Sequence, residues 1–346
     1  MFRDISLTDL LEVQSKGEHT LVDVRSPREF KESTIPGSIN IPVFNDEERA
    51  EVGTIYKQVG ADEAKVRGLE IFSEKLPTFI ATFNKIKTPI TVFCWRGGMR
   101  SKTAATVLDL MGIHAKRLNG GIRSYRQWVV HELEDKKFLP KLVVLNGYTG
   151  SGKTIILKKL YEEGYPVIDL EGMAGHRGSI FGQIGLEPSN QKKFDSLLLN
   201  EVTRYKNEPF VFIEGESRRI GKVSLPEFLN DKKEKGKQLF IHIPIEARVP
   251  IILDDYKPWE SSMPFKEAFQ LIKKHIHTPV AQQIESDLDN GDFASATKLL
   301  LEFYYDPKYK HSSNQYAEDQ KIHIDAVDVD DAYQKVVDTI ENLVKN

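Results

Sequence analysis

Residues Gly147-Tyr148-Thr149-Gly150-Ser151-Gly152-Lys153-Thr154 fit G-x-x-x-x-G-K-[ST] without a mismatch. The run Lys141-Leu142-Val143-Val144-Leu145-Asn146 ahead of them reads as a strand, and Ile155-Ile156-Leu157-Lys158-Lys159-Leu160-Tyr161 behind them reads as a helix. That strand–loop–helix setting separates a phosphate loop from a chance match. In such a loop the backbone amides wrap a diphosphate, Lys153 neutralises it, and Thr154 can ligate a magnesium ion. Gly147, Gly150, Ser151, Gly152, Lys153 and Thr154 are therefore the phosphate-binding candidates.

Toward the C-terminus, strands are expected at 141–146, 166–170, 210–214, 238–243 and 321–325, separated by helical stretches. Such alternation makes a parallel sheet, wound around the phosphate loop. Glu214 ends the apolar strand Phe210-Val211-Phe212-Ile213, where phosphate-loop proteins keep a magnesium-side carboxylate. The pattern from Ser262 to Tyr305 is mainly helical, with Asn290-Gly291-Asp292 as a turn. An amphipathic helix from Asp331 to Val344 is expected to pack on the sheet.

Toward the N-terminus, the strand-like Pro89-Ile90-Thr91-Val92-Phe93 runs into Cys94-Trp95-Arg96-Gly97-Gly98-Met99-Arg100-Ser101, and a helical pattern follows to Met111. Cys94 is the sole cysteine. It is expected as an exposed thiol on a loop at a helix N-terminus, where converging amides and the helix dipole favour an anion. With Arg96 and Arg100 close by, the thiolate is favoured and Cys94 becomes the candidate nucleophile. A buried structural cysteine would instead have apolar neighbours. Earlier still, Leu21-Val22-Asp23-Val24-Arg25 reads as a short strand, and Ser26 caps a helix begun by Pro27. Strands alternating with helices make this region α/β as well. Two domains are expected, 1–132 and 140–346, joined by a polar linker at 133–139.

The 346 residues are 40% hydrophobic and 29% charged, an ordinary globular composition. No apolar run approaches the roughly 18 residues of a membrane span, and the start Met1-Phe2-Arg3-Asp4 lacks a signal-peptide core. With a single cysteine, a cytoplasmic location is expected. The net charge of −3 argues against a generally basic nucleic-acid binder. Residues 1–139 carry 21 Lys+Arg against 19 Asp+Glu, and the remainder carries 27 against 32. Any RNA contact must therefore use local patches such as Arg218-Arg219 with Lys222. His275 and His277, two apart on a helical pattern, point to different faces, so no metal site is expected there.

The first domain resembles a rhodanese domain, a sulfur-transfer fold. The resemblance lies in Asp23-Val24-Arg25, Glu29-Phe30, Ile35-Pro36-Gly37-Ser38-Ile39-Asn40, Cys94 at a strand end, and Gly120-Gly121-Ile122 before Trp128. Here the arginine stands six positions after the cysteine, where the sulfur-transfer loop has five. The longer C-x5-R loop resembles that of related phosphatases and implies an anion nest sized for a phosphate-type group. Taken whole, the chain resembles the tRNA 2-selenouridine synthase family. That resemblance extends through Val52-Gly53-Thr54-Ile55-Tyr56, Asp169-Leu170-Glu171, His176 to Gly182, Glu214 to Gly221, and Tyr304 to Tyr309. Gly215 departs from it, since an acidic or larger residue is expected there.

The resemblance implies replacement of sulfur by selenium at the wobble 2-thiouridine of tRNA through an S-geranyl intermediate. Geranyl diphosphate and selenophosphate would be co-substrates, with no tightly bound cofactor and a selenophosphate-supplying enzyme as a partner. Cys94, Arg96 and Arg100 would be catalytic. Arg177, Arg218 and Arg219 would contact diphosphate or the tRNA backbone beside Glu214, against a plainer role in surface salt bridges. A rival reading is a C-x5-R phosphatase or arsenate-reductase-like domain fused to a P-loop kinase. It needs a placed acid, and no Asp or Glu lies between Cys94 and Ser101. A third is a regulatory module sensing ligands for an ATPase.

Overall fold

The apolar runs Leu21-Val22 and Ile90-Thr91-Val92-Phe93 are wholly buried, as strands of a parallel sheet covered by helices must be. The computed structural model describes residues 2–17, 19–134, 138–312 and 316–345. The chain divides into two units, Met1–Asp135 with Asp195–Leu199, and Lys136–Phe194 with Asn200–Asn346.

In the first unit the elements run β1 (Arg3–Ile5), α1 (Leu7–Ser15), β2 (Thr20–Asp23), α2 (Pro27–Glu32), β3 (Ile39–Asn40), α3 (Asp46–Gln58), α4 (Ala61–Phe83), β4 (Ile90–Phe93), α5 (Met99–Leu110), β5 (Ala115–Leu118) and α6 (Gly121–Glu134). Five parallel strands lie in the order β1-β5-β4-β2-β3. Asp23 stands opposite Phe93, so the carboxyl ends of β2 and β4 are side by side. The turn after β2 is held by a buried pair: Arg25 Nε donates to both oxygens of Asp23 at 3.0 and 3.1 Å, and Thr34 Oγ1 donates to the same carboxylate. Ser26 caps α2 as expected, in a reciprocal box with Glu29 and with Pro27 at the first turn. α6 runs on through 133 and 134 of the expected linker, of which 135–137 lie outside the described residues.

The second unit continues with β6 (Lys141–Gly147), α7 (Lys153–Glu162), β7 (Val167–Ile168), α8 (Leu170–Ala174), α9 (Gln191–Arg204), β8 (Phe210–Glu214), β9 (Arg219–Ile220), β10 (Val223–Ser224), α10 (Glu227–Glu234) and β11 (Lys237–His242). A helical insertion follows, α11 (Ile245–Tyr256), α12 (Met263–Ile272), α13 (Thr278–Asn290), α14 (Phe293–Leu300), a π-helical turn (Leu301–Tyr305) and α15 (Asp306–Ser312). The chain then returns through β12 (Lys321–Asp325) and α16 (Val329–Lys345). The sheet is again parallel, β12-β11-β6-β8-β7.

The strand expected at 166–170 is shorter, because the Asp169 side chain accepts from the Gly172 N–H and starts α8. Leu145 stands opposite Glu214, which places that carboxyl beside the end of β6. Ala332, Val336 and Ile340 of α16 pack into the sheet core with Leu145 and Ile241, as the amphipathic pattern predicts. Both units are α/β. Among the described residues no helix is long and apolar enough to cross a membrane.

Candidate active site

Cys94 is not the exposed loop thiol that its motif suggests. It is 3% exposed and packs among Val22, Val24, Ala104 and Ala105. The reason lies in the backbone: Ile122 N–H donates to Cys94 O at 2.9 Å and Arg123 N–H to Trp95 O at 3.0 Å. Residue 94 is thereby held as a continuation of the buried strand. Its sulfur lies 3.1 Å from Ser101 Oγ, in the first turn of α5. The apolar neighbours that were to mark a structural cysteine are present, together with the glycine-rich loop and helix terminus.

Gly120-Gly121 owes its place to the same contact. Gly121 has φ +58°, and a Cβ there would lie 2.2 Å from Cys94 O and 2.6 Å from Gly97 N. Only glycine lets α6 approach the Cys94 loop this closely.

Arg100 is turned to Glu29 instead of lining a nest. Its Nη1 pairs with Oε2 of that residue, and Nη2 donates to Oε1 at 3.1 Å. Burial alone would raise the Glu29 pKa, but Arg100, the Ser26 N–H and Arg49 outweigh it and hold the carboxylate below its ordinary range. Arg96 is exposed.

The phosphate loop forms between β6 and α7 as expected. Lys153 Nζ donates to Gly147 O at 3.2 Å. Burial opposes its charge, yet Tyr309, Glu171, Glu216 and Glu214 more than offset this, so its pKa is raised and the ammonium is kept. Four carboxyls gather nearby. Glu214 is fully buried; Leu170 N–H donates to its Oε2 at 2.8 Å, and among the described residues no donor reaches Oε1. Burial, then Asp169 and Glu171, push Glu214 well above the usual carboxylate range. Glu171, buried and beside Glu216, is pushed up to about 8.

Thr154 Oγ1 donates to Glu171 Oε2 at 3.3 Å. Among the described residues no three His, Cys, Asp or Glu side chains are arranged to hold a metal by themselves. A magnesium ion on a phosphate loop needs only one or two protein oxygens besides phosphate and water. Thr154 and Glu171, with the donor-less Glu214 oxygen behind them, fit that set.

Gly215 is explained by packing: a Cβ would meet Asn146 Oδ1 at 2.0 Å and Leu145 O at 3.0 Å. The acids that accompany Glu214 come from Asp169, Glu171 and Glu216, which stand in the motifs read above but were given no role there. Arg177 is tied down, with Nε 2.7 Å from Asp255 Oδ2, Nη1 donating to Ile184 O at 2.8 Å, and its guanidinium over the Tyr256 ring. Arg218 and Arg219 are exposed. Arg218 lines a cavity of about 560 Å³ that opens beside Lys153, whereas Arg219 Nε donates to Gly221 O.

That cavity brings together rings from the phosphate loop, the Tyr304 to Tyr309 stretch and segments unmarked by any motif. Tyr148, Phe240, His242, Tyr309, Tyr316 and His323 all line it. Phe240 and His242 alternate along β11, and His323 is the register partner of Phe240 on β12, which stacks their rings 5.6 Å apart. His242 stacks on His323 at 5.3 Å, with Nε2 and Nδ1 3.0 Å apart. The alternation in each strand was visible; the pairing of strands 80 residues apart was not. Tyr304 and Tyr305, which open the Tyr304 to Tyr309 stretch, are buried in the helical insertion. His275 ends a 3-10 turn and His277 caps α13, so the two do not share a helix.

A parallel α/β sheet whose central strand ends in a cysteine loop, followed by a parallel sheet built on a phosphate loop, defines a two-domain protein of rhodanese and P-loop type. Residues 6–127 match the rhodanese-like domain family, and residues 140–263 match the family described as the tRNA 2-selenouridine synthase AAA domain. The tRNA 2-selenouridine synthase of Bdellovibrio bacteriovorus is 32% identical over 335 residues, covering 84% of this chain and 87% of that protein. That of Aeromonas salmonicida is 36% identical over 325 residues, covering 84% and 86%. The chain belongs to the tRNA 2-selenouridine synthase family. A solved N-terminal domain of a putative ATP/GTP binding protein from Clostridium difficile 630 is 34% identical, covering 37% of this chain and 98% of that one, with a TM-score of 0.35.

Proposed function

We propose that this protein is a tRNA-modifying transferase that replaces sulfur with selenium at a wobble 2-thiouridine, acting in the cytoplasm. The reading is supported by family membership and carried by one observation, the charged Lys153 facing a ring-lined chamber. In the first step the thiouridine sulfur attacks C1 of geranyl diphosphate. An S–C bond forms, the C–O bond breaks, and diphosphate leaves with the electron pair while the base loses its N3 proton. Lys153 and the loop amides stabilise the leaving charge. A magnesium ion held by Thr154 and Glu171 would supply further positive charge when bound. The chamber rings offer faces on which the base can stack, and Arg218 stands at its edge for the RNA backbone.

In the second step selenium of selenophosphate adds at C2. The C–S bond breaks, geranyl thiol departs, and water takes the phosphoryl group. We place selenophosphate at the Cys94 loop, at the N-terminus of α5, where Cys94 lines the site and holds the selenium donor for attack without itself forming a bond. Arg177 has no part in this scheme, since its donors are engaged. The kinase and phosphatase alternatives find no added support.

Lys153→Ala tests the division of labour. It is expected to slow geranylation of thiolated tRNA about 10²–10³-fold, the usual loss for one preorganised donor. Selenation of tRNA geranylated beforehand should continue. Nucleoside analysis after digestion reads both steps, and loss of the second step together with the first would overturn the assignment.

A further inference from the structure

Thr149 of the phosphate loop is one of the residues lining a second cavity, sunk into the helical insertion between α11, α12, α14 and the π-helical turn. Its walls include Phe181, Ile252, Phe265, Ala296, Leu300 and Tyr305. At about 60 Å³ it is far smaller than the 560 Å³ chamber beside Lys153. A single water takes about 10–15 Å³ on this scale, so the cavity has room for roughly four to six. Its walls are mostly aromatic and aliphatic, so a hydrocarbon group suits it better than a base or a ribose does.

The few polar groups do not suit a hydrated ligand. Ser179 Oγ and Tyr256 Oη face each other at 3.2 Å, and the Tyr305 hydroxyl, on a residue 9% exposed, is buried beside the Ser179 side chain. A ribose placed here would leave its own hydroxyls short of partners, at a cost an alkyl chain does not bear. Tyr305 and Leu301 belong to the π-helical turn, a widened turn of a kind that recurs at functional sites. The backbone at Thr149 is held in place. Arg248 of α11 donates to Thr149 O at 3.2 Å and forms a two-pronged pair with Asp306 of α15, at 2.9 and 2.6 Å.

We infer that this slot receives the hydrocarbon chain of the allylic diphosphate whose head lies in the phosphate loop, and that Ile252, Ala296 and Leu300 set the chain length accepted. The inference rests on the reading of the loop given above. One molecule carrying a diphosphate at one end and an apolar chain at the other occupies both sites through their shared residue, Thr149.

Calorimetric titration of the full chain with inorganic pyrophosphate, dimethylallyl diphosphate and geranyl diphosphate tests it. The native protein should bind geranyl diphosphate at least tenfold tighter than the five-carbon compound. Ala296→Phe should remove that advantage and leave pyrophosphate affinity within about twofold. Should the buried phenyl ring prevent folding, Thr297→Trp on the half-buried rim fills the same slot. Leu300→Ala should improve binding of the fifteen-carbon farnesyl diphosphate. Undiminished geranyl diphosphate affinity in both filled variants, with pyrophosphate still bound, would overturn the slot and leave the phosphate-loop reading intact. A native protein that binds neither pyrophosphate nor geranyl diphosphate would overturn both.

Discussion

Gly121→Ala probes the contact that fixes the Cys94 loop. The backbone at Gly121 sits at φ +58°, where an L-residue is disfavoured by roughly 1–2 kcal/mol. The new methyl group would also lie 2.2 Å from Cys94 O, 2.6 Å from Gly97 N and 3.0 Å from Arg96 N. All three atoms are backbone, so no side chain can rotate away. Relief requires the first turn of α6 to withdraw by about an ångström. That movement breaks the 2.9 Å bond from Ile122 N–H to Cys94 O and the 3.0 Å bond from Arg123 N–H to Trp95 O, each contributing about 0.5–1.5 kcal/mol. The expected destabilisation is about 2–5 kcal/mol.

Gly112→Ala is the control, since Gly112 has φ +75° with open space around it. It should cost no more than about 1–2 kcal/mol. Because the chain has two units, unfolding need not be a single transition. Hydrogen exchange at the amides of 122 and 123, measured alongside urea denaturation, localises the loss. Equal effects of the two alanines, or unchanged protection at those amides in Gly121→Ala, would refute the close-approach argument.

Cys94→Ala should retain the fold, losing about 1 kcal/mol for a buried group of roughly one methylene's size, while 2-selenouridine formation stops. Normal 2-selenouridine in tRNA treated with this variant would remove Cys94 from the chemistry. The Arg100–Glu29 pair, 15% and 24% exposed, should show a coupling of about 1–2 kcal/mol in a double-mutant cycle with Arg100→Gln and Glu29→Gln, between the surface and buried extremes. The folded-state pKa of Glu29 is depressed, so this stability is present above the ordinary glutamate value and lost as pH falls through the folded-state value. The gap between native protein and Glu29→Gln should therefore close in acid, and zero coupling at neutral pH would show that the pair is ornamental.

The phosphate loop, the alternation of strands with helices and the cap at Ser26 were legible in the sequence because each is local. A motif of eight residues, a period of two or 3.6, and a capping side chain three residues from its partner all act within one turn of chain. The same holds for the helical insertion and its Asn290-Gly291-Asp292 turn, where Gly291 adopts φ +79°. The strand expected at 166–170 failed locally too, because Asp169 serves α8 as a cap and so ends the extended run.

What the tertiary structure decided depends on register between distant segments. Parallel pairing of β2 with β4, and closure of α6 on the loop, bury Cys94. The α2 cap reaches across 71 residues to take the guanidinium of Arg100. The pairing of β6 with β8 and the cap of α8 draw Glu171, Glu214 and Glu216 around Lys153, with Asp169 beside Glu214. No spacing in the chain encodes those neighbours, since a sequence carries the period of each element but leaves open which faces meet. The rings of β11 and β12 and the slot beneath Thr149 exist only once those faces have packed.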